Sequence, residues 1–274
     1  MIDTIYSDPN FLQHYGVKGM KWGVRRYQNY DGTRITNGEA RYYQESDKKI
    51  KTNRDGYKII PKGFKFNRVG KSSLDLNKSG GLYVSYGKED ASRYIKSLGP
   101  TPIRKLFKTY GDTVQHISVN SDLKVPSDTQ IAKDTADVLL SNKEVLNSFG
   151  KSIYGQIFTG EFDKHVTEHD VQKALQSPSK KEIHKLSYCV NSFFGDPNYS
   201  KETKVFYDYY RSKGYDAIPD IHDRLSGTSK TAMIIINPDK VSVTSSTYIT
   251  KDVMKSAKAY AKKSGKLKVS ELIK

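Results

Sequence analysis

The sequence predicts an α+β fold, in which strands from both ends of a domain meet in one split β-sheet or barrel around a helical insertion. Strand-like segments occur within residues 56–125 and again after residue 214, whereas residues 127–214 show a helical period that glycine and proline interrupt. Of the 274 residues, 36% are apolar and 28% are charged, which is typical of a chain with a folded core.

Composition divides the chain into three regions. Residues 1–36 are predicted to be an N-terminal docking or targeting segment, because residues 14–36 are rich in glycine and aromatic residues and lack helical or strand periodicity. Residues 37–248 are predicted to form the α+β domain, with the helical insertion at about 127–214. Residues 249–274 are predicted to form a basic C-terminal helix.

The first half of the domain is predicted to contain two helices and three strands. Alternation of apolar and polar residues predicts the strands, and apolar spacings of three and four predict the helices. The expected bounds are helix 37–51, strand 65–69, strand 82–86, helix 88–98 and strand 113–119. The Gly80-Gly81 pair marks the turn before the second strand.

After the helical insertion the chain is predicted to return to strands. The segment Asn237-Pro238-Asp239-Lys240 has the residues of a turn and separates two β-like segments. The expected bounds are strand 215–218, strand 231–236, strand 241–248 and helix 251–263. These late strands are expected to join the early ones in one sheet.

No segment has the properties of a signal peptide or a membrane span. Residues 1–15 contain Asp3, Asp8 and Pro9 where a signal peptide needs an apolar stretch, and the longest apolar string is only 232–236. The single cysteine, Cys189, cannot form an intramolecular disulfide and is predicted to be a buried thiol on a helix. We expect a protein made in the cytosol, without membrane insertion.

Metal binding and the common nucleotide-binding motifs are not predicted. His165 and His169 stand four residues apart, but the order His-Glu-x-x-His is missing. Thr167 is expected to cap a helix that leaves His165 outside it. Walker and dinucleotide-binding glycine patterns and the Gly-x-Ser-x-Gly elbow do not occur in the sequence. Surface histidines are the preferred interpretation.

The formal net charge of +16 predicts attraction to polyanions. Residues 251–274 contain eight lysines against Asp252 and Glu271. The candidate polyanion contacts are Lys258, Lys262, Lys263 and Lys266. A solvated lysine face is the alternative interpretation of the same run, and the sequence leaves both open.

Residues 14–26 read His-Tyr-Gly-Val-Lys-Gly-Met-Lys-Trp-Gly-Val-Arg-Arg. This segment, with its continuation to Thr36, resembles a motif found in minor head and other structural proteins of phages and prophages of Gram-positive bacteria. Its aromatic and cationic side chains are suited to an acidic or polar-rimmed groove on a partner. The candidate docking residues are His14, Lys18, Lys21, Trp22, Arg25 and Arg26. The resemblance implies docking to phage head or portal proteins, and a location in the virion and in the bacterial host cytoplasm.

A second resemblance covers residues 63–242. Four segments, 66–70, 80–85, 214–218 and 234–241, are similar in content and order to landmarks of ADP-ribosyltransferase-like domains. The resemblance implies that Arg68 positions NAD and that Ser85 supports the nicotinamide ribose pocket. It also implies the split-sheet architecture of that family.

The catalytic glutamate of that family has no counterpart in this chain, because Thr231 or Ala232 stands at its expected position. The transfer passes through a cationic ribose that a positioned carboxylate stabilises, and a threonine or an alanine cannot supply that charge. Asp220 and Asp223 lie upstream and are the candidate substitutes, although a displaced carboxylate would be poorly oriented. The sequence therefore favours a transferase-like domain with little or no NAD chemistry.

Three functions stay open at this point. The first is a virion-associated minor structural or ejected protein with an inactive ADP-ribosyltransferase-like domain. The second is an active NAD-dependent mono-ADP-ribosyltransferase that modifies a host target, for which NAD is the substrate. The third is a nonspecific DNA-binding protein, which the charge allows although no helix-turn-helix, zinc finger or aromatic platform is readable.

Overall fold

The computed structural model shows a mixed α/β chain with small antiparallel sheets, which agrees with the predicted α+β class. The structure describes residues 27–28, 34–35, 45–71, 76–77, 79–107, 110–158, 167–176, 179, 183, 186, 190–221, 223 and 228–264. The six candidate docking residues of segment 14–26 lie outside the described residues, as do Cys189, His165 and Lys266.

Along the chain, a helical part lies between two β-rich parts. The described strands are β1 (Tyr27–Gln28), β2 (Arg34–Ile35), β3 (Lys51–Thr52), β4 (Lys58–Ile60), β5 (Lys65–Gly70), β6 (Leu82–Val84), β7 (Thr113–Val119), β8 (Leu123–Val125), β9 (Ala217–Pro219), β10 (Met233–Ile235) and β11 (Val241–Tyr248). The described helices are α1 (Lys88–Leu98), α2 (Pro102–Leu106), α3 (Asp128–Ser141), α4 (Lys143–Phe158), α5 (Glu168–Gln176), α6 (Val190–Phe194), α7 (Ser200–Ser212) and α8 (Lys251–Ser264).

Two three-stranded antiparallel sheets lie at the centre, with strand orders β6-β10-β9 and β11-β7-β5. A single backbone bridge joins them, because Asn67 N–H donates to Ser85 O at 2.7 Å and Ser85 N–H donates to Asn67 O at 3.0 Å. A third sheet, β3-β4-β8, continues beside β9, where Asp216 N–H donates to Lys124 O at 2.9 Å. The described strands β1 and β2 pair with each other.

The side chains packed between these sheets form a core that we call the sheet core. Side chains alternate between the two faces of a strand, so alternate residues of β5, β6 and β7 point into it. Its members are Ile60, Phe64, Phe66, Leu82, Val84, Tyr86, Ile117, Val119, Leu123, Val125, Ala217, Met233, Ile235 and Val241. Aromatic rings pack together within it, with the Phe64 and Tyr86 centroids 5.2 Å apart in an edge-to-face arrangement.

The outer face of sheet β6-β10-β9 packs against helices α3–α7. The side chains of Ile218 and Ile234, both fully buried, lie on this face of the sheet and pack with a set of aromatic side chains from the helices. Those side chains are Phe149, Phe193, Phe194, Phe206, Tyr207 and Tyr210, and Tyr215, which follows α7, packs with them. Helix α3 begins where the Ser127 hydroxyl accepts a hydrogen bond from Gln130 N–H at 3.1 Å, which is a typical N-cap.

The outer face of sheet β11-β7-β5 packs against α1 and α8. Ile95 of α1 and Val114 of β7 are fully buried there, together with Val253 and Ala257 of α8. The two helices run antiparallel, because Lys88 at the start of α1 lies over the ring of Tyr260 near the end of α8, 5.0 Å from its centroid. The second sheet is thus covered on both faces.

Most of the predicted elements of the β-rich parts are confirmed. The structure has strands at β5, β6, β7 and β11 and helices at α1 and α8, close to the expected bounds. The predicted helix 37–51 is wrong in its described part, since residues Asp47–Lys49 form a 3-10 helix and Lys51 begins β3. Strands β4 and β8, of three residues each, were not predicted; they pair with each other in antiparallel register.

Every helix within the described ranges is too short or too polar to span a lipid bilayer. This finding is consistent with the expectation that no segment spans a membrane.

Candidate functional site

The candidate NAD-binding arginine, Arg68, lies on β5 and is half-buried. Its Nη1 donates a hydrogen bond to Oε1 of Gln115 on β7 at 2.9 Å, and Nε2 of Gln115 donates to Lys71 O at 2.8 Å. The guanidinium lies over Gly70, where a Cβ atom would come within 2.5 Å of Arg68 Nη1. Arg68 is therefore fixed along the sheet by its neighbours.

Ser85 is 1% exposed and pairs across the sheets with Asn67, the residue before Arg68. Paired residues share a face and consecutive residues of a strand alternate, so Ser85 lies on the Asn67 face and Arg68 on the other. The core contacts agree with this register. Phe66 lies in the sheet core, so Arg68, two residues later, lies on the same face. Val84 and Tyr86 also lie in this core, so Ser85 between them lies on the opposite face. The expectation that Arg68 and Ser85 converge on one nicotinamide pocket does not fit this register.

Thr231 occupies the position at which the carboxylate was expected, and its hydroxyl is held by two other elements. Its Oγ1 lies 2.6 Å from Asp90 Oδ2 and 2.5 Å from Tyr86 O, and it accepts a hydrogen bond from Tyr86 N–H at 3.0 Å. Thr231 N–H also donates to Asp90 Oδ2 at 2.9 Å. Thr231 is thus a structural link between α1 and the start of β10.

Asp90 is the centre of this link, and it is only 2% exposed. Besides Thr231, its Oδ2 accepts hydrogen bonds from the Ser229 hydroxyl at 2.7 Å and from Lys230 N–H at 3.1 Å. Its Oδ1 pairs with Nη1 of Arg93 at 3.2 Å within α1. A carboxylate that accepts so many hydrogen bonds satisfies the polar groups that would otherwise be buried without partners.

Asp220 and Asp223 lie in the same region, so the structure brings the two candidate carboxylates together. Asp220 is 3% exposed, and its Oδ1 accepts a hydrogen bond from Asp223 N–H at 3.2 Å. Asp223 Oδ2 accepts a hydrogen bond from the hydroxyl of Tyr94 on α1. Asp223 O accepts further bonds from the N–H groups of Thr228 and Ser229, at 2.9 and 3.0 Å.

Two tyrosines face these carboxylates, and with Asp220 and Asp223 they form what we call the tyrosine–carboxylate cluster: Tyr83, Tyr94, Asp220 and Asp223. Burial raises the pKa of Tyr83 well above its ordinary value, and the nearby Tyr207, Asp220 and Asp223 raise it further. Burial also raises the pKa of Tyr94, with Asp223 as the next cause. Both phenols are therefore neutral, and the Tyr94 hydroxyl donates to Asp223 Oδ2.

A buried histidine was missed by the sequence analysis. His116 on β7 is 2% exposed, with Nδ1 3.2 Å from Asn67 Oδ1 and Nε2 3.1 Å from Thr247 Oγ1. It lies beneath α1 and α8, on the face of the sheet opposite Arg68 and Gln115. Its position on the same face of the strand as the apolar Val114 was a weak signal, and it did not reveal these partners.

The candidate polyanion contacts lie on α8. Lys258, Lys262 and Lys263 are exposed, whereas Val253 and Ala257 of the same helix are buried against α1 and the sheet. The remaining candidate, Lys266, is outside the described residues.

Within the described ranges, no three His, Cys, Asp or Glu side chains are grouped so that they could hold a metal ion. The predicted cap at Thr167 is confirmed, since its hydroxyl accepts a hydrogen bond from Asp170 N–H at 3.2 Å and α5 begins at the next residue. His169 is exposed.

Comparison with known proteins gives one match. Residues 6–29 match the model of a family of unknown function (DUF7211), and this range overlaps the docking segment predicted at 14–36. The match covers too little of the chain to assign it to a family. Neither the curated proteins nor the solved structures contain a match to this chain.

Asp90→Ala is expected to lower the free energy of unfolding by about 3 kcal/mol, because it removes the partner of a buried Arg93 and the acceptor for Ser229 and Thr231. Urea denaturation followed by circular dichroism measures this change. The matched control is Glu89→Ala, one position earlier on α1 and partly exposed, which should change stability by less than about 0.5 kcal/mol. Equal effects of the two variants would contradict the central role of Asp90.

Proposed function

We propose that this chain is a minor structural or ejected protein of a phage particle, and that its folded domain is ADP-ribosyltransferase-like without transferase chemistry. The motif at residues 14–26 supports the first part, since it resembles a segment of phage structural proteins. Two small antiparallel sheets that meet at one bridge are compatible with the split-sheet architecture in the second part. The proposed locations are the virion and the bacterial host cytoplasm.

The observation that carries the inactive assignment is the environment of Thr231. An oxocarbenium-like ribose needs a negative charge placed beside it, and preorganised charge is the largest contribution in such reactions. Thr231 has no charge, and its hydroxyl is already engaged by Asp90 and Tyr86. The nearest buried carboxylate, Asp90, has both oxygens engaged in holding residues 229–231 and Arg93.

The placement of the other two family residues supports the absence of transferase chemistry, and it counts against the ADP-ribosyltransferase resemblance itself. Arg68 and Ser85 would have to act on one NAD molecule, but the Asn67–Ser85 pairing puts their side chains on opposite faces of the sheet. Arg68 is also hydrogen-bonded to Gln115. A mono-ADP-ribosyltransferase would need these groups within one cleft.

The active transferase remains a second candidate because Asp220 and Asp223 lie together, next to Tyr83 and Tyr94. Two carboxylates and two neutral phenols in one place can stabilise a cation or accept a hydroxyl proton. In this candidate, a carboxylate of the cluster takes the role of the missing glutamate, and the target is a host protein.

We expect that incubation of the full chain with labelled NAD and a host lysate releases nicotinamide and labels protein only at the background rate. The physical reason is the absence of a charge at Thr231. Measurement is by release of radiolabelled nicotinamide, with an unrelated active transferase as positive control.

Activity that disappears in the Arg68→Ala variant would overturn the inactive assignment. Activity that disappears in Asp220→Asn or Asp223→Asn, but persists in the exposed control Asp55→Asn, would establish the second candidate and identify its carboxylate. Circular dichroism of each variant separates loss of chemistry from loss of fold.

Deletion of residues 14–36, or Trp22→Ala combined with Arg25→Ala, is expected to abolish co-purification of this protein with phage particles. An aromatic anchor and an arginine are the residue types that contribute most to protein interfaces. Particles produced by a strain carrying each variant are purified on a density gradient and immunoblotted. The control is Lys51→Ala with Arg54→Ala, which removes two exposed cations from the domain itself. Incorporation of the deleted protein at the wild-type level would contradict the docking role.

Nonspecific DNA binding is the third candidate, and the exposed lysines of α8 favour it. Binding of random duplex DNA should weaken steeply as salt rises, and Lys258→Gln, Lys262→Gln and Lys263→Gln should together reduce the slope of log K against log salt by about 2–3. Fluorescence anisotropy across a salt series measures this slope. The control replaces Lys133, Lys151 and Lys204, which are not on α8, by Gln. A slope that the α8 variant leaves unchanged would restore the interpretation of a solvated face.

A further inference from the structure

The most exposed large apolar side chains in the described residues lie just after α1. Ile103, Leu106 and Phe107 are 71%, 77% and 68% exposed, and we call these three residues the apolar tip. They are spaced three and four apart on α2 and its C-cap, so they share one side of this helical turn. Large apolar patches on a folded domain mark a binding surface.

The apolar tip is held in a defined conformation. Thr101 caps α2 by accepting a hydrogen bond from Arg104 N–H at 3.3 Å, and Pro102 occupies the first turn. Nη1 of Arg104 donates to Gly99 O at 3.2 Å, which ties α2 back to the end of α1. Phe107 N–H donates to Ile103 O at 3.1 Å and closes the turn. The three apolar side chains are therefore presented together by ordered backbone.

An exposed tyrosine and two lysines lie at the same end of the domain as the apolar tip. Helices α1 and α8 run antiparallel, and Met254 of α8 fills the space next to Gly99, so the start of α8 lies beside the end of α1. Tyr248 is 61% exposed, and only two residues separate it from the start of α8. Lys251 and Lys255, both exposed, belong to the first turns of α8.

Cations predominate around the apolar tip. Residues 96–112 contain Lys96, Arg104, Lys105 and Lys108 against one acidic residue, Asp112. Lys96 and Lys105 are exposed, and the exposed Asp252 is the acidic residue of the first turn of α8. A surface that combines apolar side chains with surrounding lysines is complementary to an apolar layer covered by anionic groups.

We propose that the apolar tip inserts into the headgroup and upper acyl region of an anionic lipid bilayer, as a peripheral contact that does not cross it. The charge around the tip favours an anionic surface, and three large apolar side chains at a protruding turn are sufficient to enter that interface. A helix bound in a protein groove uses anchors over two or more turns, and α2 has five residues. The lipid surface is therefore preferred to a protein groove.

The test uses the full chain and two kinds of vesicles, one of phosphatidylcholine and one of phosphatidylcholine mixed with phosphatidylglycerol. Cosedimentation should show binding to the anionic vesicles. The affinity for the neutral vesicles should be at least about tenfold lower, because both apolar insertion and lysine attraction are needed. Ile103→Ser, Leu106→Ser and Phe107→Ser together should reduce affinity for anionic vesicles more than about tenfold, since apolar burial is lost with no change of charge. All three side chains are exposed, so the variant is expected to fold.

The matched control for the apolar tip is Leu140→Ser with Val205→Ser, two residues that are each 39% exposed and belong to α3 and α7. This control should bind like the wild type. Lys96→Gln with Lys105→Gln should weaken binding to anionic vesicles by about fivefold for each lysine. A Trp22→Phe/Phe107→Trp variant should show a blue-shifted emission when anionic vesicles are added, because the indole enters an apolar layer.

Three results would overturn the proposal. Failure of the wild type to bind anionic vesicles would mean that the apolar tip binds a groove on a partner protein instead. Equal binding by the triple serine variant would mean that the charge of +16 alone attracts the chain. A dimer in sedimentation velocity that the triple serine variant abolishes would show that a second copy of this chain covers the tip.

Discussion

The backbone pairing of Asn67 with Ser85 is the constraint on which the arrangement of the two central sheets depends. It joins β5 to the end of β6, and it thereby fixes which residues of both strands face the sheet core. The same pairing places Asn67 next to His116, on the face of the sheet that α1 and α8 cover. Arg68 lies on the opposite face beside Gln115. One pair of hydrogen bonds thus decides the surroundings of both candidate NAD contacts.

Asp90 extends this constraint to the segment before β10. Helix α1 packs on β5, and the buried carboxylate of Asp90 holds residues 229–231 against it. Thr231 is thereby part of a structural link, with its hydroxyl held by Asp90 and Tyr86. The tyrosine–carboxylate cluster adjoins this link, because Ser229 N–H donates to Asp223 O.

The strands and helices with a clear period could be predicted from the sequence, and the residues that meet in space could not. Alternation along β5, β7 and β11 and the apolar spacing of α1 are local signals. Strands β4 and β8 were not predicted, because their partners are each other and lie more than 60 residues apart in the chain. The opposite faces of Arg68 and Ser85 result from register, which joins residues far apart in the chain.

The sequence by itself determined the class of fold, the helical insertion, the basic α8 and the absence of a charge at residue 231, because each depends on residue type or on local period. Only the tertiary structure decided that Asp220 and Asp223 share a site with Tyr83 and Tyr94, that His116 is buried beside Asn67, and that Ile103, Leu106 and Phe107 protrude. The physical reason is that burial and contact depend on how distant segments pack. A side chain's surroundings are therefore a property of the whole fold.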